Sequence, residues 1–320
     1  MTDNHDSSYK LLFSHPEMVK AFLSGFIDPE YIQYFDLDSL EKQNGSYVAD
    51  DLRDRADDLV WRLKCKDEWV YLYLLLEFQS TVDRWMPVRV GTYCGLLYQD
   101  IIQTQNLGWD DQLPAILPIV IYNGRYPWRA STDLASLMEP IPAVFKPLQL
   151  NVSYVLVDEG RYTNEELADN ENIAAILFRL ENSQTAEAFD HGLTCLVEWC
   201  KQPERASLKR AFTVWMKRVL LKKLPTQDVP DFSELEEGQT MLSERMDDWQ
   251  ENWKKEGIEQ GIVESKRDDI LDALEIKFSN VPDNIALIVN ESTDPIRLKE
   301  MLHEAIRSES LDTFQKWLEK

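Results

Sequence analysis

The sequence has few cysteines and few glycines, and each scarcity excludes a class of protein. It contains 4 Cys and 11 Gly in 320 residues. The cysteines form no CxxC pair, and the spacing of Cys195 and Cys200 matches no structural zinc motif, so we expect reduced thiols that pack in the interior. With so little glycine and only 14 Pro, the composition argues against a disordered, low-complexity chain.

Long apolar segments are also absent. The longest runs, residues 72–76 and 115–122, are far shorter than the roughly 18 residues that a membrane-spanning helix needs. The first twenty residues lack both the basic start and the apolar stretch of a secretory signal. The sequence therefore predicts a cytoplasmic protein.

Positive charge is scarce along the whole chain. There are 34 Lys and Arg against 57 Asp and Glu, which gives a formal net charge of −23. Residues 1–150 contain 13 basic and 22 acidic side chains, and the remainder contains 21 and 35. Because neither half is basic, the composition argues against extensive electrostatic binding to the phosphate backbone of a nucleic acid.

What the chain does contain indicates a globular α/β protein. Hydrophobic residues make up 44% of the chain and aromatic residues 11%, which is enough apolar surface for a core. Chain length favours a main domain of about 200 residues with an appendage. We predict an α/β domain over residues 1–235 and a helical region over residues 236–320, with an exposed junction around Pro225 and Pro230.

Hydrophobic periodicity places the individual elements. Helical spacing after Pro16 predicts a helix over residues 16–27, and an unbroken apolar run over residues 113–122 predicts a strand buried on both faces. The helix predicted over residues 84–105 has a buried flank of Val88, Tyr93, Leu96, Leu97 and Ile101. The other strands are expected at 36–42, 58–64, 69–79 and 152–157, and the other helices at 165–180, 189–201, 206–224, 241–267, 268–278 and 295–317.

The two strands at 58–64 and 69–79 have the spacing of a hairpin closed by the two residues 66 and 67. A two-residue loop makes paired positions sum to 133, so Cys65 lies opposite Glu68, and Asp58 lies opposite Leu75. Because side chains alternate along a strand, Asp58 then shares a face with the last acidic and amide residues of the second strand, Glu77 and Gln79.

Carboxylates at the ends of apolar strands are costly to desolvate unless something compensates their charge. A divalent cation would do so, since Mg²⁺ takes one or two carboxylate ligands and keeps several waters. Asp58 and Glu77 are the candidate metal ligands. The alternative is that Glu77 is a solvated residue at the end of an edge strand and that Asp58 caps a turn.

Glycines recur in the segment Glu256–Ile262, at Gly257 and Gly261. Two interpretations are open. The glycines let a neighbouring backbone approach a helix closely, which would suit a partner helix or a second copy of the chain. Alternatively, they break the helix ahead of the C-terminal tail.

Several blocks of sequence, taken in order, point to one family. They are HDSSYKLLFS (5–14), RADDLVW (55–61), YLYLLLEFQS (71–80), Arg89 with Tyr93, LYQD (97–100), LPAILPIVIYNG (113–124) and KEGIEQG (255–261). These blocks resemble the Rpn family of recombination-promoting nucleases, also called YhgA-like putative transposases.

The resemblance implies a PD-(D/E)xK restriction-endonuclease-like fold, a mixed sheet flanked by helices, with a helical C-terminal region. It implies that Asp58 and Glu77 bind Mg²⁺ or Mn²⁺ and that Gln79 occupies the position where many such enzymes have Lys. An amide does not titrate, so Gln79 would orient water rather than act as the base. Asp57 departs from the family pattern, in which Pro precedes the first acid.

The resemblance also implies that DNA is the partner. Arg89 and Tyr93, one helical turn apart, are the candidates for phosphate contact, although an isolated surface charge is the more ordinary role for an Arg. Glu17 is a candidate auxiliary acid, with a solvated helix-start residue as the alternative. Further cations lie near the proposed site in sequence: Lys10, Arg53, Arg55, Arg62, Lys64 and Arg84.

Two functions follow as hypotheses. The first is a Mg²⁺-dependent DNA endonuclease associated with recombination or mobile elements, in which Asp58, Glu77 and Gln79 are catalytic. The second is a catalytically weak or inactive nuclease-fold regulator that binds protein partners, with the C-terminal helical region as a surface for a protein partner or a second copy. Scattered histidines exclude a zinc hydrolase, and the absence of GxxxxGK[ST] and GxGxxG motifs leaves a nucleotide-driven motor or a dehydrogenase unsupported.

Overall fold

A computed structural model gives the fold of the chain. It describes residues 3–43, 59–66, 68–77, 82–124, 127–168, 172–183, 185–223, 232–244, 246–279 and 281–318. The chain divides into two compact units, one made of residues 1–183 and 187–244 and the other of residues 184–186 and 245–320. The predicted boundary at residue 235, between a nuclease-like domain and a helical C-terminal region, stays a prediction.

The first unit contains a five-stranded mixed sheet in which the strand order follows the sequence. The first three strands run antiparallel to their neighbours, whereas the third, fourth and fifth run parallel. The strands are β1 (Phe35–Lys42), β2 (Leu59–Cys65), β3 (Glu68–Glu77), β4 (Ala115–Tyr122) and β5 (Val155–Asp158). Helices flank the sheet, so the predicted fold class, an α/β mixed sheet with C-terminal helices, is confirmed.

Nine helices in the described part of the first unit surround this sheet. They are α1 (Asp3–Leu12), α2 (Pro16–Phe26), α3 (Pro29–Ile32), α4 (Met86–Thr104), α5 (Asn164–Ala168), α6 (Ile173–Glu181), α7 (Ala186–Trp199), α8 (Ala206–Lys223) and α9 (Leu235–Glu244). The helix predicted over 165–180 is two helices, because Asn172 caps a new helix by accepting a hydrogen bond from the amide of Ala175 at 2.8 Å. Helix α1 was not predicted, since its apolar residues are few and lie at its end.

The hairpin register is confirmed over the described residues. Cys65 pairs with Glu68 and Leu59 pairs with Leu74, so every described pair sums to 133. Lys66, in the turn, has a φ of 58°, as the tight turns that join such strands require. The start of β2 and the end of β3 therefore lie at the same edge of the sheet.

Helix α4 covers one face of the sheet. Its buried residues recur every three or four positions, and they pack against Val60, Tyr71, Val120 and Tyr122 from the strands. Val88, which was predicted to be buried, is 45% exposed. The buried residues of α4 follow the helical repeat as a stripe through Met86, Val90, Tyr93, Leu97 and Ile101. Val88 is exposed because it lies outside this stripe.

The opposite face is covered by α1 and α2, and α6 packs against α2. Helix α2 begins with Pro16 in its first turn, as predicted, and buries Met18, Val19, Phe22 and Leu23. The indole nitrogen of Trp61 in β2 donates to the carbonyl oxygen of Phe13 at 3.2 Å, which fixes the chain after α1 to the sheet.

The second unit is helical and has its own core. Its helices are α10 (Met246–Phe278), α11 (Asp283–Glu291), α12 (Pro295–Arg307) and α13 (Leu311–Leu318), and Ile270, Leu274, Leu298 and Phe314 are fully buried among them. Helix α10 continues through Gly257 and Gly261, so the interpretation of these glycines as a helix break is wrong. Within the described ranges, no helix has both the length and the apolar character to cross a membrane.

Candidate functional site

One edge of the sheet gathers the residues that could carry chemistry. The parallel strands β3, β4 and β5 all end there, and their last residues are in register: Glu77 pairs with Tyr122, and Tyr122 pairs with Asp158. We call these three positions the terminal row. Because β2 is antiparallel to β3, the amino end of β2 lies at this edge too.

The structure describes only part of the predicted catalytic set. Glu77 is the last residue of β3 and belongs to the terminal row. Asp58 and Gln79 lie outside the described residues, immediately before β2 and two positions after β3. Their roles, and that of Glu77, therefore stay predictions that the confirmed hairpin register supports.

Asp158 was not among the candidates, yet it is the acidic residue of the terminal row whose surroundings are best defined. It is 4% exposed, and its Oδ2 accepts a hydrogen bond from the Trp128 amide at 2.9 Å. Among the described residues, its buried Oδ1 has no hydrogen-bond partner. Burial raises the pKa of the Asp158 carboxyl, and the Trp128 amide and the Arg161 guanidinium offset part of that rise.

The same sequence signal that selected Glu77 could have found Asp158. Both residues end an apolar strand, and Asp158 is followed directly by Glu159. Hydrophobic periodicity ends the predicted last strand at residue 157, and no hairpin in the sequence joins the acids after it to another carboxylate. Only the parallel pairing of β4 and β5, which is non-local, brings Asp158 into the terminal row.

Tyr122, the middle residue of the row, is held by tight packing. Its ring meets Trp128 edge to face, with centroids 4.9 Å apart. Gly124 passes so close above it that a Cβ at this position would lie 1.9 Å from the Tyr122 hydroxyl oxygen. The turn after β4 therefore needs glycine because of close approach to this ring.

At the same edge, on the other face of the sheet, the buried carboxyl of Glu159 links α1 to the segments that follow β4 and β5. Glu159 is 1% exposed, and its Oε2 accepts hydrogen bonds of 3.1 Å from both the Tyr9 hydroxyl and the Asn123 amide. The Asn123 amide also donates to the Tyr9 oxygen at 3.0 Å. Burial raises the pKa of Glu159 well above its ordinary value, and the carboxylate of Glu181 raises it further.

The raised pKa predicts that Glu159 makes stability depend on pH. A folded state that holds this proton more tightly than the unfolded state is favoured at low pH, and the advantage is lost as pH rises from about 4.3 through the raised pKa. Glu159→Gln keeps the acceptor for Tyr9 and Asn123 without a titrating group. We expect it to unfold at the same temperature as wild type near pH 4 and to be about 1–3 kcal/mol more stable at pH 8.

Thermal unfolding followed by circular dichroism between pH 4 and 8 measures this difference. Glu165→Gln is the matched control, because Glu165 is exposed on the neighbouring helix α5. A stability difference that does not grow with pH for Glu159→Gln would contradict the assignment of a raised pKa.

The predicted phosphate contacts lie on α4. The Arg89 Nη1 donates to the Asp83 carboxylate at 3.0 Å, and both side chains are largely buried. Tyr93 is 5% exposed and forms part of the core between α4 and the sheet. The roles of both residues in binding DNA stay predictions.

Among the described residues, no group of three or more His, Cys, Asp or Glu side chains is arranged to hold a metal ion. Asp58, one of the two predicted ligands, lies outside that part of the chain. The donor chemistry of the terminal row does fit, because a hard cation prefers carboxylate oxygens. The row contains two carboxylate residues, Glu77 and Asp158, which are two strands apart with Tyr122 between them.

A family model described as "Putative transposase, YhgA-like" matches residues 3–205, which is more than half of the chain. The chain belongs to the YhgA-like putative transposase family. The match includes all five strands and helices α1 to α7, and α8 to α13 lie beyond it.

Curated relatives of this YhgA-like chain are named as nucleases. Recombination-promoting nuclease RpnD of Escherichia coli O157:H7 is 26% identical over 175 residues, which cover 54% of this chain and 65% of RpnD. Recombination-promoting nuclease RpnA of Escherichia coli strain K12 is 28% identical over 120 residues, covering 38% of this chain and 40% of RpnA.

A third relative is named as an inactive nuclease-like protein. The inactive recombination-promoting nuclease-like protein RpnE of Escherichia coli strain K12 is 26% identical over 173 residues, which cover 54% of this chain and 56% of RpnE. In all three cases the match spans less than two thirds of the relative's own length. No solved structure matches the chain.

The blocks that carry the YhgA-like resemblance meet in the fold. Tyr9, from the first block, and Asn123, from the block that ends β4, are hydrogen bonded to each other. Trp61, from the block that contains Asp58, is bonded to Phe13 of the first block. Residues that are far apart in sequence thus build one edge of the sheet.

Proposed function

We propose that the chain is a metal-dependent DNA endonuclease of the cytoplasm that acts by phosphodiester hydrolysis. The observation that carries the proposal is the register of β2, β3 and β4, which brings the start of β2 and Glu77 to the edge where Tyr122 and Asp158 also lie. Membership of a family with relatives named as recombination-promoting nucleases supports it.

Asp58 and Glu77 would hold the ion, Mg²⁺ or Mn²⁺, through carboxylate oxygens. Such an ion polarises a phosphate and lowers the pKa of a bound water. The Gln79 amide would orient the attacking water by donating and accepting hydrogen bonds, and it would not take up its proton because an amide does not titrate. Arg89 and Tyr93 remain the proposed phosphate contacts on α4.

Nicking of supercoiled plasmid, with and without a chelator, tests the activity. We expect wild type to nick in the presence of Mg²⁺ or Mn²⁺ and to stop when EDTA is added. The same ions should raise the melting temperature of wild type by several degrees, because a ligand that binds only the folded state stabilises it. Asp58→Ala should show no such rise.

The reverse result would support a second function. The name of RpnE and the net charge of −23 favour a nuclease-fold protein that binds protein partners instead of cutting DNA. If the metals shift the melting temperature of wild type and of Asp58→Ala equally, and no metal-dependent nicking is seen, the endonuclease proposal is wrong and this second function is preferred.

A further inference from the structure

Two lysines from distant parts of the chain lie close together near the edge of the sheet. The ammonium group of Lys42, the last residue of β1, donates to the Ser14 hydroxyl oxygen at 2.7 Å. The same hydroxyl donates to the carbonyl oxygen of Lys10 at 2.6 Å. We call Lys10, Ser14, His15 and Lys42 the lysine cluster.

The acidic residues of β1 do not neutralise this cluster, although they are its neighbours in sequence. Asp38 pairs with Lys20, and Glu41 pairs with Arg62 at 2.6 Å. Within the part of the chain that the structure describes, no carboxylate forms an ion pair with Lys10 or Lys42. Lysines that no described carboxylate pairs with are unexpected in a chain with a net charge of −23.

Holding the two lysines together costs free energy. Partial burial lowers the pKa of Lys42, and the positive charge of Lys10 lowers it further. An arrangement in which like charges repel contributes nothing to folding by itself. Two neighbouring lysines of this kind suit a site where a bound anion balances their positive charges.

Helix α8 extends the positive charge beside the cluster. The Ser207 hydroxyl, in its first turn, lies 3.1 Å from Nε2 of His15. Residues 201–223 contain eight Lys and Arg and a single acidic residue, Glu204. The cluster therefore adjoins the start of a basic segment, in which Lys201 pairs with Glu198 and Lys209 pairs with Glu234 and Glu236. The other Lys and Arg side chains of the segment would attract a polyanion.

The position of Lys42 relates the cluster to the terminal row. Lys42 pairs with Trp61, and Trp61 pairs with Leu72 of β3, which lies five residues before Glu77. Two strand spacings and five residue rises place the backbones of Lys42 and Glu77 about 19 Å apart. That is the length of about five or six nucleotides of a DNA strand, so the cluster is too far away to contact a scissile phosphate at Glu77.

We infer that the lysine cluster binds a backbone phosphate of the DNA substrate, about half a helical turn from the phosphate that is cut. This inference rests on the proposed function, since it takes DNA as the substrate. Lys10 and Lys42 are positioning residues in it: they hold the duplex and take no part in hydrolysis. The contact is independent of base sequence because it involves only phosphate.

Fluorescence anisotropy with a labelled duplex of about 20 base pairs, in EDTA so that no cleavage occurs, tests the inference. Lys10→Gln and Lys42→Gln should each weaken binding about fivefold at low salt, and each should reduce the slope of log affinity against log salt by about 1. Lys146→Gln is the matched control, since Lys146 is exposed and outside the cluster. It should change affinity less than about twofold.

Melting temperatures separate binding from folding. Because the two lysines repel each other, neither substitution should lower the melting temperature. Loss of affinity together with a large fall in melting temperature would show a structural role and overturn the inference. Equal binding by wild type and by both cluster variants, with metal-dependent nicking intact in wild type, would overturn the inference and leave the proposed function standing.

Inorganic phosphate, used as a second ligand, shows whether the lysine cluster binds the phosphates of DNA or free phosphate. If wild type neither binds DNA nor nicks plasmid, both proposals are wrong. If, in addition, inorganic phosphate raises the melting temperature of wild type but not of Lys42→Gln, the cluster serves a free phosphate, and DNA as its ligand is overturned. Inorganic phosphate that competes with labelled DNA for wild type, and much less for Lys42→Gln, supports the inference.

Discussion

Glu77→Gln is expected to slow metal-dependent nicking by about 100-fold or more while leaving the fold intact. The substitution keeps the size and hydrogen-bonding capacity of the side chain and removes the negative charge proposed to hold the ion. Metal ions supply several kcal/mol of transition-state stabilisation, and each 1.36 kcal/mol corresponds to a factor of ten in rate. The initial rate of plasmid nicking at saturating Mg²⁺ measures the effect.

The same strand provides a matched control. Glu68 begins β3, at the end away from the terminal row, where it is exposed and pairs with Cys65. Glu68→Gln changes the net charge by the same amount and should nick at a rate within about twofold of wild type. Equal rates for the two variants would mean that Glu77 does not belong to the catalytic site.

Gly124→Ala adds one methyl group. Among substitutions of this size at the edge of the sheet, we expect it to destabilise the protein most. The new Cβ would lie 2.0 Å from Cζ of Tyr122, and the ring cannot move freely because it is buried against Trp128. Overpacking of a core costs 1–3 kcal/mol, and displacing an aromatic ring costs more. We expect a loss of about 3 kcal/mol or more, measured by urea unfolding.

Two further variants show whether the clash with Tyr122 is the cause. Gly95 lies within α4, and a Cβ there would meet no atom within 4 Å, so Gly95→Ala should stabilise the protein by up to about 1 kcal/mol. In a Tyr122→Leu background, the penalty of Gly124→Ala should shrink, because the smaller side chain leaves room. An undiminished penalty would place the strain elsewhere in the turn.

The local parts of the fold could be predicted from the sequence. Pro16 and the helical spacing after it determine α2, and the short turn at Lys66 determines the pairing of β2 with β3. Helix α1 was missed because the residues that it buries, including Tyr9 and Leu12, show their burial only against β3 and α8. The break at Asn172 was missed because a cap depends on one side chain and changes little of the apolar pattern.

The candidate site could be predicted only where it depends on the hairpin. The relation of Asp58 to Glu77 follows from the turn between β2 and β3, and the described register agrees with it. Asp158 and the pair Lys10 and Lys42 depend on strand order and helix packing, which involve residues far apart in sequence. Periodicity contains no information about such contacts.

The packing of α1 against α8 has a consequence for the minimal fragment that could be produced. The family match ends at residue 205, but Arg218 of α8 donates to the Ser8 hydroxyl of α1 at 2.7 Å, and Trp215 donates to Glu181 at 2.9 Å. A truncated chain that stops at the family limit would expose the apolar surface that Phe212, Trp215 and Met216 cover. Expression boundaries should therefore follow α8 and α9 rather than the end of the family match.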